Sequence, residues 1–254
     1  MLISTGGYAA AGLAAVAAGA INAVAGGGTM VSFPALLALG VPSVAANATN
    51  TVSLCLGYLG GTWAQRNDLI GWGKRARPLL IAGAFGGLAG SVLLTRTSDK
   101  LFTFLAPILI LLACTLLGFQ KQIRSKLGIG VGDDAMKAVS VAAICAVFVS
   151  GMYGGYFGGA LGILLLAVLG VLLNGPLASL NALKQVLSLF INVAAAIFLS
   201  LSGKVQWGLV GVMAVGSLVG GVLGGRYASR VNPVKLRRVV VSFGIIVALK
   251  LIFF

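Results

Sequence analysis

The sequence predicts an all-α integral membrane protein of two inverted-topology repeats, with eight long transmembrane helices and two short half-helices after Gly-rich breaks. Three observations lead there. Apolar stretches recur from end to end between short polar loops, small-residue motifs return about 134 residues apart, and basic residues collect in three of the loops.

The first observation is compositional. Of the 254 residues 59% are hydrophobic and 9% charged, against roughly 25% charged in a soluble domain. One span needs about 20 apolar residues, and lipid offers no partner to a bare backbone N–H or C=O, so the spans are helices. Long runs fall at about 6–25, 44–64, 78–95, 101–119, 138–157, 178–201, 206–228 and 239–254. Shorter runs at about 29–40 and 160–173 follow glycine clusters. At 1.5 Å per residue they reach only roughly 17–21 Å, against an apolar layer about 30 Å thick. The first twenty-five residues hold no Lys or Arg, so they read as a first span rather than a cleavable leader.

Composition also excludes chemistry. His and Glu are absent, and Asp68, Asp99, Asp133 and Asp134 all fall in loops. A proton relay places such groups inside the spans, so proton coupling of that kind is not expected. Cys55, Cys114 and Cys145 are scattered and form no CxxC pair, which suits packing thiols. No metal, cofactor or enzymatic site is expected. A net charge of +14 would suit nucleic acid, but the basic residues lie in short loops between spans, as lipid-facing topology requires. The lipid bilayer, and not nucleic acid, is the expected partner.

The repeat rests on paired motifs. Gly40-Val41-Pro42-Ser43-Val44-Ala45-Ala46-Asn47-Ala48 matches Asn174-Gly175-Pro176-Leu177-Ala178-Ser179-Leu180-Asn181-Ala182 at Pro, Asn and Ala. Gly86-Gly87 and Gly90 fall on Gly220-Gly221 and Gly224, and Gly26-Gly27 meets Gly158-Gly159 after a two-residue slip. Residues 1–119 then form the first repeat, 120–137 a cytoplasmic linker and 138–254 the second repeat.

Charge sets the relation between the halves. Loop 65–77 holds Arg66, Lys74, Arg75 and Arg77; loop 120–137 holds Lys121, Arg124, Lys126 and Lys137; stretch 226–238 holds Arg226, Arg230, Lys235, Arg237 and Arg238. Only Arg96, Lys100 and Lys204 occupy the other loops. With the rich loops inside, each half crosses an odd number of times and the second half is inverted. Both termini then face outward from an inner, plasma-type membrane.

Interrupted helices near the midplane hold the substrate in inverted-repeat transporters. Two interruptions occur here, Asn22-Ala23-Val24-Ala25-Gly26-Gly27-Gly28-Thr29 and Tyr153-Gly154-Gly155-Tyr156-Phe157-Gly158-Gly159. The half-helix after each presents its positive N-terminal end, a place suited to an anion; the plain alternative is that the glycines only let helices pack closely. A second constellation opens the next long helix of each half, Asn47-Ala48-Thr49-Asn50 against Asn181-Ala182-Leu183-Lys184. Lys184 is the only charge well inside a span, a position costing about 2.5–3.5 kcal/mol on insertion scales. It either neutralises an anion or snorkels to the headgroups. Asn47, Asn50, Asn181, Gln185 and Asn192 offer amide groups to substrate oxygens or to neighbouring helices. Tyr153 and Tyr156 suit a gate or an interface, and Trp63, Trp72 and Trp207 read as interfacial anchors.

These residues resemble the TauE/SafE family of sulfite exporter-like membrane permeases. The first-half pattern appears as Asn22, Gly26-Gly27-Gly28, Pro34-Ala35-Leu36-Leu37, Leu39-Gly40 and Ala48-Thr49-Asn50; the second as Gly151-Met152-Tyr153-Gly154-Gly155-Tyr156-Phe157-Gly158, then Lys184 and Gly203-Lys204-Val205. The likeness runs from about residue 18 to the C-terminus. It implies transport of sulfite, sulfonates or related sulfur oxyanions. Where relatives often carry a lysine this chain has Thr51, and where they often carry an acid it has Gly154.

The expected function is therefore a secondary permease for a small anion, with alternating access and a substrate site drawn from Asn22, Gly26, Gly27, Gly28, Thr29, Asn47, Thr49, Asn50, Tyr153, Tyr156, Gly158, Gly159, Asn181, Lys184 and Gln185. The rival readings are a permease for an organic or neutral sulfur compound, and a membrane assembly subunit that moves nothing. Either way a homo-oligomer is compatible with the sequence.

Overall fold

The structure, a computed structural model, describes residues 3–24, 26–69, 71–119, 122, 125–126, 139–173, 175–227 and 233–253. Within them lie ten helices and a single 3-10 turn, Arg66–Leu69. The first set is α1 (Thr5–Val24), α2 (Thr29–Ala38), α3 (Ser43–Ala64), α4 (Gly73–Arg96) and α5 (Asp99–Gly118). The second is α6 (Val141–Tyr156), α7 (Leu161–Leu172), α8 (Leu177–Leu201), α9 (Trp207–Tyr227) and α10 (Pro233–Phe253). No strand occurs among the described residues. Most of loop 120–137 lies outside them, as do Asn174 and Arg230.

Helix ends follow local chemistry that returns in both sets. Ser4 Oγ accepts from the Gly7 N–H at 3.2 Å, and Ser140 Oγ accepts from the Ala143 N–H at 3.2 Å, so α1 and α6 begin on serine caps. Pro42 and Pro176 precede α3 and α8 in the same extended conformation. The breaks also match: Gly26 donates to the Ile21 carbonyl at 2.9 Å, and Gly158 donates to the Tyr153 carbonyl at 3.1 Å. Both glycines are left-handed, with φ of 81° and 76°. This hydrogen bond across a left-handed residue is a helix terminator that other side chains adopt only with strain.

Packing pairs helices from different sets. α1 lies along α9, α6 along α4, α3 along α9 and α8 along α4, while α3 meets α8 and α5 meets α10. The closest crossings use glycines. A Cβ on Gly86 would strike the Phe148 carbonyl and one on Gly90 the Met152 carbonyl; on Gly220 it would strike the Val16 carbonyl. Only glycine lets the backbones approach this far.

Among the described residues five helices are long and apolar enough to cross a membrane: Thr5–Val24, Gly73–Arg96, Asp99–Gly118, the stretch Ala178–Leu201 of α8, and Trp207–Tyr227. The eight expected long spans are therefore not all of one kind. α6 has 16 residues, and α3, though 22 residues long, carries Asn47, Thr49, Asn50, Thr51 and Ser53. Around the bundle Leu13, Ile81, Phe85, Phe104, Ile197 and Val215 are more than half exposed. Such an apolar exterior belongs against lipid acyl chains, and the chain is a multi-pass membrane protein.

The two ends of the bundle differ in charge. The guanidinium groups of Arg66 and Arg226 both stack on Trp63, at 4.8 and 5.3 Å from its ring centroid, which puts the end of α3 beside the end of α9. Arg96, Lys100 and Lys204 lie at the opposite end, where Asp99 caps α3 by accepting from the Val44 N–H at 3.0 Å. One expectation is corrected here. Trp63 and Trp207 are about half exposed, as interfacial anchors are, but Trp72 is 1% exposed and donates its indole N–H to Ser179 Oγ at 2.7 Å. Its ring is a core element joining the start of α4 to the start of α8.

Candidate functional site

The two breaks meet inside the bundle. Gly26 and Gly162 lie against one another so closely that a Cβ on either would sit 2.8 Å from the other's Cα. Around this contact the polar side chains of α3 and α8 gather.

Lys184 is 1% exposed, so it does not snorkel. The stem of its side chain runs past Gly162, and its ammonium donates to Asn181 Oδ1 at 2.9 Å and towards the Asn22 carbonyl at 3.5 Å. Both partners are neutral. Asn181 in turn donates to Gln65 Oε1 at 2.6 Å, and Gln65 donates to the Ala23 carbonyl at 3.4 Å. The last turn of α1, freed from helical bonding by the break, thus receives donors from α8 and from the end of α3. Hydrogen bonds to a charged group are worth roughly 1.5–3 kcal/mol each, against several kcal/mol for burying an ammonium, and neither partner neutralises it.

The break of the second set is closed from α3. Asn47 donates to the Tyr156 carbonyl at 2.7 Å, and Asn50 donates to Thr29 Oγ1 at 3.4 Å. Thr29 Oγ1 lies close to Gly158. Asn47 Oδ1 and Asn50 Oδ1 are buried and have no protein partner among the described residues, as do both amide atoms of Gln185 and Ser188 Oγ. An unpaired buried polar group costs about 1–3 kcal/mol.

Other expected residues have narrower duties. Asn22 Oδ1 accepts from the Gly28 N–H at 2.7 Å, so a carboxamide oxygen already occupies the N-terminal end of α2 where an anion's oxygen was expected. Gly28 presses on the Ala18 carbonyl, and Gly27 packs by Leu117 and Met30. The hydroxyl of Tyr153 donates to the Gly159 carbonyl and braces the second break from within. Tyr156 joins an aromatic cluster in which Phe33, Phe102 and Phe157 meet edge to face, with centroids 5.6–6.1 Å apart for the pairs of Phe33. Thr49 faces away from the breaks, accepting the Gln206 N–H at 3.0 Å. Gln185 fills the space that a side chain at Gly61 would need.

Two members of the site were not expected from sequence. Gln65 follows the last residue of α3 in a stretch read for its charges alone, and Gly162 sits inside an unbroken apolar run. The only available signal for Gln65 was its lack of charge in an otherwise basic loop.

Proteins described as membrane transporters match the chain over nearly its whole length. A family model described as "Sulfite exporter TauE/SafE" matches residues 11–251. The chain belongs to the TauE/SafE family. Its similar relatives within it include the "Probable membrane transporter protein YfcA" of Escherichia coli K12, 29% identical over 241 residues that cover 94% of this chain and 87% of the relative. A "Probable membrane transporter protein" of Haemophilus influenzae is 27% identical, covering 92% and 89%. The "Probable membrane transporter protein ORF9" of Sinorhizobium sp is 25% identical, covering 94% and 90%. No solved structure matches the chain. As a TauE/SafE protein it is a membrane transporter or permease.

Proposed function

We propose that this chain is an inverted-repeat permease for a small anion, a sulfur oxyanion or sulfonate of the sulfite type, in an inner membrane. Residues 1–119 and 138–254 are its two repeats, joined by a cytoplasmic linker, and eight long helices span the bilayer with two half-helices between them. The end bearing Arg66 and Arg226 faces the cytoplasm.

One observation carries this reading. Lys184 is a fully buried lysine with two neutral partners, placed where the two breaks touch. A small oxyanion supplies the charge that Asn181 and the Asn22 carbonyl do not. Asn22, Gly26, Gly27, Gly28 and Thr29 form one wall of the site and Tyr153, Tyr156, Gly158 and Gly159 the other. Asn47, Asn50, Asn181 and Gln185 position those walls, and Thr49 ties α3 behind them to the start of α9.

Reciprocal packing supports the inverted repeat. The first break is closed by α8 of the other half, and the second break by α3. Entry of substrate displaces Asn22 from the Gly28 N–H and opens the Gly26–Gly162 contact. Rocking of the halves about that point exposes one end and then the other.

Counterflow of labelled sulfite, thiosulfate and sulfate in proteoliposomes tests the proposal. Uptake of one oxyanion that disappears in Lys184→Ala supports it. Folded wild-type protein that moves none of the three overturns the oxyanion assignment.

A further inference from the structure

The two polar clusters around the breaks are equivalent in backbone and unequal in charge. At the offset of 134 residues, Asn181 corresponds to Asn47, Lys184 to Asn50 and Gln65 to Leu199. In the second-half cluster the amide oxygen of Asn181 receives the Lys184 ammonium. In the first-half cluster the equivalent oxygen, Asn47 Oδ1, has no partner, and the residue in place of the lysine brings a second unpartnered oxygen, Asn50 Oδ1. Both side chains are 1% exposed or less.

The orientation of Asn47 is set by its neighbour. The Tyr156 carbonyl only accepts, so Asn47 must turn its Nδ2 to it and its oxygen away. Asn50 uses its Nδ2 on Thr29 Oγ1, and a hydroxyl that accepts one bond keeps a further lone pair. Asn47 and Asn50 are three residues apart on α3 and share a face. Acceptors collected in this way attract a cation.

We propose that Asn47 Oδ1, Asn50 Oδ1 and Thr29 Oγ1 contribute to a binding site for a monovalent alkali cation, of which Na⁺ is the model, standing where the second half has its lysine ammonium. The proposal rests on the two-half reading above. Divalent ions are disfavoured because the site has neutral oxygens only. Hard divalent cations are bound through carboxylates, and Asp68 and Asp99, the acids among the described residues, lie in the 3-10 turn and at the start of α5. The bound ion would bring a second positive charge to the meeting point of the breaks.

Equilibrium binding of ²²Na⁺ to purified protein in nanodiscs, with no oxyanion present, tests this independently of transport. The expected result is saturable binding of one Na⁺ per chain. Asn50→Lys, which tethers an ammonium at the site, should weaken it by at least about tenfold, and Asn47→Leu should do the same. Lys184→Met should leave Na⁺ binding in place while lowering oxyanion counterflow by about ten- to hundredfold, so failure of the anion reading and failure of this one are distinguishable. Absence of saturable binding in the wild type overturns the proposal and makes the site a water pocket. So does binding that is unchanged in monodisperse Asn47→Leu and Asn50→Lys proteins.

Discussion

The break after α1 and the break after α6 end in the same hydrogen bond across a left-handed glycine, yet different chemistry closes them. Lys184 and Gln65 reach the first, and through them its carbonyls face a cation and a carboxamide. Asn47 reaches the second, beside a plug of Phe33, Phe102 and Phe157. Two breaks of the same backbone geometry therefore need not share one chemistry. The first break meets a lysine, while the second meets asparagine oxygens and an aromatic cluster drawn from both sets of helices.

The comparison can be broken most sharply at Lys184. Lys184→Met keeps most of the side-chain volume and removes the charge. Counterflow should fall by about ten- to hundredfold, the equivalent of one lost charged hydrogen bond. Because no counter-ion is left behind, thermal stability of the purified protein should hold or rise. A fall in stability matching the fall in transport would make Lys184 a structural strut.

The frame itself is tested by Gly86→Val and Gly220→Val. Each introduces a side chain against a carbonyl of the crossing helix, with an expected loss of about 1–3 kcal/mol or more. If the halves are equivalent, the two should shift the melting temperature in detergent by similar amounts. A large effect at one site alone would break the symmetry.

Gln65→Ala removes the partner of Asn181 Nδ2 and the donor to the Ala23 carbonyl. It should destabilise by about 1–3 kcal/mol, measured by thermal melting, because buried groups lose their partners. Leu199, at the equivalent place in the second half, makes no such bond, so Leu199→Ala should act as a simple cavity. The smallest effect is expected from Tyr153→Phe, which loses one hydrogen bond to Gly159 at about 1 kcal/mol in the same assay.

Much of this molecule was legible in its sequence. The ten helices lie within a few residues of the apolar runs, except that α4 and α10 begin five or six residues earlier. Early starts are expected where Lys and Arg extend a helix beyond the apolar layer, since a basic residue ends a hydropathy run without ending a helix. Lys184 and Asn181 stand one helical turn apart, yet the sequence alone assigns each a separate role and their pairing emerges only in the structure. Trp72 was misread because composition cannot tell an indole at the headgroups from one with a buried hydroxyl to bond.

By itself the sequence determined that the chain lies in a membrane, that its helices break twice at glycines, and that a lone lysine enters the apolar layer. These follow from local rules, since lipid satisfies no backbone group and only glycine turns left-handed without strain. Only the tertiary structure decided what meets at the breaks. Contacts between residues more than a hundred positions apart, such as Lys184 with Asn22, Asn47 with Tyr156 and Gly26 with Gly162, leave no periodicity behind. They exist because the helices of each half pack across those of the other, which is a property of the whole bundle and of no single segment.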